Sequence, residues 1–117
     1  MSGPGDGDRV DLVARFTALP GREEEVARLL LALTAKVREE PGCLAFEPAR
    51  AAPPPPGSGA VAGPEPVGTR FVVMEAYRDG AAFAEHLAAP HGAAFNAALG
   101  PLIEEDGSML TFLAPLG

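Results

Sequence analysis

The chain has 117 residues and a mass of 12.0 kDa, with 47% apolar residues, which fits one globular domain whose small core would gain from oligomerisation. Its formal charge of −7, from sixteen acids against nine bases, excludes nucleic acid and anionic membrane surfaces as natural partners. A single cysteine, Cys43, excludes an internal disulfide and a cysteine-based zinc site, and no apolar run reaches the ~18 residues of a membrane span.

The start, MSGPGDGDR, has neither a basic opening nor an apolar stretch, so no signal peptide is expected and the predicted location is cytoplasmic. Residues 1–7, rich in glycine and acid, read as a disordered tail; residues 8–117 read as one domain. From Arg9 to Leu19 the chain alternates. Leu12, Ala14, Phe16 and Ala18 share one face, and Asp11, Val13, Arg15 and Thr17 the other, as in a strand with one apolar face. Pro20-Gly21 breaks it. A helix follows to Pro41-Gly42, with Val26, Leu29, Leu30, Leu33 and Val37 as its apolar stripe. Glu23, Glu24 and Glu25 sit in its first turn, where the helix dipole favours acids, and Glu24–Arg28 is an i,i+4 pair.

GCLAFEPAR reads as a second strand with Leu44 and Phe46 on one face. Residues 51–68 hold six prolines and four glycines in eighteen positions, a composition that supports neither ladder nor helix, and they read as a mobile insertion between paired strands. TRFVVMEAYR is a third strand, apolar on both faces. Asp79 is placed to cap a helix carrying Phe83, His86 and Leu87 on one face. Pro90 interrupts that helix and opens another, with Phe95 and Leu99 apolar, before a last strand in SMLTFLAPL. The order β-α-β-β-α-β, with its second helix broken in two, predicts an α+β, ferredoxin-like split β-α-β fold: a four-stranded antiparallel sheet with helices on one face. The other face also needs cover, and a partner's sheet supplies it most simply.

Three segments carry a resemblance: EPGCLAFE from Glu40 to Glu47, EAY from Glu75 to Tyr77, and EHLAAPHGAAF from Glu85 to Phe95. In this order they resemble the antibiotic biosynthesis monooxygenase domain family of the dimeric α+β barrel superfamily, over nearly all of residues 9–114 outside the insertion. The chain departs from the family pattern in having Phe46 for the usual Tyr and Tyr77 for the usual Trp. The resemblance implies a homodimer with its sheets face to face. It also implies oxidation of phenols or hydroquinones by O2 with neither metal nor flavin, the deprotonated substrate itself activating O2. Haem-degrading relatives use an Asn, a Trp and a haem-ligating His at places that here hold Ala14, Tyr77 and Asn96, so haem chemistry is not implied.

Residues two apart on a strand share a face, so Glu75 and Tyr77 point the same way. Glu75 is then a paired structural carboxylate or a proton acceptor at a cavity, and Tyr77 a wall residue or a hydroxyl donor to a quinone oxygen. His86, on the helical face turned to the sheet, is a core histidine or the base that takes a phenolic proton. The candidate catalytic residues are thus His86, Glu75 and Tyr77. The candidate substrate-binding residues are Phe16, Phe83, His91, Phe95 and Asn96. Cys43 reads as a small buried hydrophobe. No ligand spacing such as H-x-x-E-H is present, so no metal site is expected, and the resemblance implies no other cofactor. The expected function is a cofactor-independent monooxygenase acting on a phenol or hydroquinone-type aromatic with O2, as a homodimer. The alternatives are a non-catalytic small-molecule-binding or stabilising module of the same fold, and an isomerase- or cyclase-like relative.

Overall fold

A computed structural model of the chain describes residues 8–59, 61, 63 and 65–117. The predicted tail at 1–7 lies outside the described residues, as do positions 60, 62 and 64 of the insertion. Strand β1 (Val10–Thr17) leads into helix α1 (Glu23–Val37), and β2 (Cys43–Arg50) is followed by β3 (Arg70–Tyr77). Helices α2 (Gly80–Ala88) and α3 (Pro90–Leu99), a 3-10 turn at Gly100–Leu102 and β4 (Met109–Leu113) complete the chain. The sheet order is β2-β3-β1-β4 with every neighbour antiparallel, the predicted ferredoxin-like arrangement. The sheet is open at the β2 and β4 edges.

Alternation in β1 and β3 decides what is buried. Phe16 lies opposite Phe71, Ala14 opposite Val73 and Leu12 opposite Glu75, all beneath the helices. The α1 stripe meets them with Val26, Leu30, Leu33 and Val37, and α3 adds Phe95 and Leu99. Fully burying one such side chain stabilises by about 1.5–3 kcal/mol. Phe16 stacks on Phe71 at 5.8 Å between ring centroids and meets Phe95 edge-on at 6.3 Å. On the opposite face Val13, Val72, Met74, Met109 and Leu113 follow the same alternation, and Met74 and Met109 are 61% and 60% exposed.

Three local readings are corrected. Leu44 does not share a face with Phe46, because the register shifts between Cys43 and Ala45; Leu44 is exposed and Phe46 buried. Leu87 is largely exposed although Phe83 and His86 on its helix turn inward. Glu24 pairs with Arg50 at 3.0 Å across to β2, where the guanidinium also lies over the Phe71 ring. Within the insertion Glu65 returns to the sheet, 3.2 Å from Arg70 and 3.9 Å from Arg15.

Candidate functional site: a carboxylate–histidine cluster at an apolar cavity

Two turns bring the site together. After α1 the chain makes a tight turn in which the Glu40 N–H donates to Val37 O and the Cys43 N–H to Glu40 O. Gly42 is required there: a Cβ on it would collide with the Cβ of Ala82. That close approach sets the start of β2 against the first turn of α2, and the Arg78 N–H donates to Gly42 O at 2.8 Å. The second turn is the cap of α2, where the Asp79 carboxylate accepts the Ala82 N–H at 2.8 Å, as the sequence predicts. The extended backbone of Ala89 then ends α2, and Pro90 opens α3.

These turns set His86 among three aromatic rings. Its centroid is 4.8 Å from Tyr77, 6.0 Å from Phe83 and 6.3 Å from Phe46. On one side of the imidazole, Nε2 lies 3.9 Å from Glu75 Oε1. On the other, Nδ1 lies 3.0 Å from Glu40 Oε1 and 3.2 Å from Oε2. Glu40 Oε2 is also 2.6 Å from His91 Nε2. Glu75 in turn accepts the Tyr77 hydroxyl at 2.7 Å. The side chains of Glu75, His86 and Glu40 are only 7%, 13% and 15% exposed, so this is a largely desolvated network.

Burial pushes the Glu75 carboxyl above the usual carboxylate range, despite the Tyr77 hydrogen bond and the nearby His86, which act the other way. Burial likewise raises the Tyr77 phenol, and its bond to Glu75 raises it further, so Tyr77 stays a neutral donor. Burial also raises the Cys43 thiol, which keeps it protonated and unreactive.

A cavity of about 400 Å³ lies between sheet and helices. Its walls are mostly apolar and include Phe16, Phe46, Phe83 and Phe95; Glu75, His86, Asn96, Asp106 and Ser108 are its polar groups. Of the predicted residues, Glu75, His86, Phe16, Phe83, Phe95 and Asn96 line this space. Tyr77 is fully buried behind Glu75, packed with Leu12 and Ala82, and His91 stands on the far side of Glu40. Sequence reasoning missed Glu40 as a site residue. Two signals pointed to it: its place at the head of the EPGCLAFE segment, and its position beside Pro41-Gly42, where the chain turns back toward α2. Among the described residues no three His, Cys, Asp or Glu side chains are grouped to hold a metal ion, and no described helix is long and apolar enough to cross a membrane.

The fold is similar to that of Rv0793 from Mycobacterium tuberculosis, with 28% identity, a TM-score of 0.76, and 94% of this chain and 97% of that one covered. It is also similar to PA3566 from Pseudomonas aeruginosa, with 26% identity, a TM-score of 0.74, and 97% and 99% of the two chains covered. A variant of SnoaB, a cofactor-independent oxygenase from Streptomyces nogalater, shares the fold at 21% identity, with a TM-score of 0.70 and 94% and 95% covered. No curated protein matches the sequence. The family model described as antibiotic biosynthesis monooxygenase matches residues 10–98, which takes in both turns, His86, His91 and the cavity's aromatic walls. The chain belongs to the antibiotic biosynthesis monooxygenase family.

Proposed function

We propose that this protein is a cofactor-independent monooxygenase that oxidises a phenol- or hydroquinone-type aromatic with O2, as a homodimer in the cytoplasm. The observation that carries this reading is the meeting of Glu75 and His86, 3.9 Å apart, at the wall of an otherwise apolar cavity large enough for an aromatic ring. Family membership and the likeness to a cofactor-independent oxygenase support it.

In this account the ring of the substrate lies against the phenylalanine walls with its hydroxyl toward His86. His86 takes the phenolic proton, and the low-polarity surroundings leave the phenolate electron-rich. The ring carbon gives an electron pair to O2 as the new C–O bond forms, and the proton returns to the distal oxygen. Loss of the ring C–H proton then breaks the O–O bond: one oxygen stays on the product as a quinone carbonyl, and the other leaves as water. Tyr77 holds the Glu75 carboxyl at the wall, where its protonated form, favoured by burial, donates a hydrogen bond to the substrate oxygen as charge develops. The test is incubation of the purified protein with a panel of phenols and hydroquinones under labelled O2. One labelled oxygen in the quinone and one in water support the reading. Absence of label from every product contradicts it.

A further inference from the structure

Glu40 was not among the candidates that the sequence offered, yet it touches both histidines of the chain. A carboxylate has only acceptors, so each contact must be made by an N–H of the imidazole. The 3.0 Å contact at Nδ1 then places the proton of neutral His86 on Nδ1 and leaves Nε2 as a bare lone pair. Nε2 is the nitrogen that faces Glu75 at the cavity wall. The 2.6 Å contact from His91 Nε2 satisfies the second Glu40 oxygen.

We infer that Glu40 is a positioning residue that fixes the tautomer and orientation of His86, with His91 as the outer donor that holds Glu40 in place. This rests on the proposed function only in naming His86 as the base. The groups around His86 are few. From β3 come Glu75 and Tyr77; from the turn before β2 comes Glu40; from α3 comes His91; Phe46 and Phe83 add only rings. Cys43, at the start of β2, is a neutral thiol.

The experiment is nitrogen-15 NMR of the neutral imidazoles, for the wild type, Glu40→Ala and His91→Gln. In the wild type, neutral His86 should show a protonated Nδ1 and a bare Nε2. Glu40→Ala removes the acceptor at Nδ1, so neutral His86 should move toward the Nε2–H tautomer. His91→Gln keeps a donor to Glu40, so it should leave the His86 tautomer as in the wild type. In turnover assays Glu40→Ala should lower kcat with KM little changed, as loss of a residue that orients the base and does not touch substrate would. An Nε2–H tautomer in the wild type overturns the inference without any variant, and an unchanged Nδ1–H tautomer in folded Glu40→Ala overturns it too. The NMR readout needs no substrate, so failure to oxidise any phenol would count against the oxygenase alone.

Discussion

Gly42 and Glu75 show how single residues set this site. The Cβ that Gly42 lacks would occupy the position of the Ala82 Cβ, both on backbones fixed by hydrogen bonds at Gly42 O and the Asp79 cap. Gly42→Ala should therefore cost about 1–3 kcal/mol, the scale of overpacking, and calorimetry should show a melting temperature lower by several degrees. An unchanged melting temperature would mean that α2 shifts freely. Glu75 makes a pH-dependent contribution. Burial raises its carboxyl above the unfolded value of about 4.3, so between the two values the folded state binds more protons than the unfolded one. Its stability contribution is complete below the unfolded value and declines as pH rises through the native one. Urea midpoints from pH 4.5 to 7.5 should show the wild type losing stability relative to Glu75→Gln as pH rises. A relative gain would mean that the ionised carboxylate is the form the fold prefers.

Elements were far more legible than contacts. The alternation of Leu12, Ala14 and Phe16, the stripe from Val26 to Val37, the Asp79 cap and the Pro90 restart each depend on near neighbours in sequence, and each is found in the structure. Leu44 failed because the register shifts between Cys43 and Ala45, next to the close approach of Gly42 to Ala82, and no local pattern reports either. Glu40 failed for the same reason: its partners lie 46 and 51 positions away. The insertion belongs to this scale too. Its Glu65, itself exposed, meets the half-buried Arg70 and the exposed Arg15 in ion pairs of the surface kind, each worth about 1 kcal/mol or less. Replacing residues 52–66 by a short Gly-Ser link should therefore lower the melting temperature by less than about 8 °C and preserve the oligomer. A larger drop would show that the loop packs as part of the core.

At the scale of the whole molecule, the sheet has one face under three helices and one carrying Val13, Val72, Met74, Met109 and Leu113. Pairing of that second face with a second copy should bury well over roughly 1,000 Å², mostly apolar. Light scattering at micromolar concentration should give twice the chain mass, and Met74→Glu should bring it to that of one chain. A wild-type mass of one chain would contradict the face-to-face dimer. The catalytic account places the chemistry on the opposite, helix-covered side, so it stands or falls on His86. The direct measurement is the initial rate of O2 consumption with a saturating substrate from the phenol and hydroquinone panel, comparing the wild type with folded, dimeric His86→Ala. The account predicts a rate lower by roughly 10²-fold or more, the scale of a lost general base. Equal rates in the two proteins would contradict it.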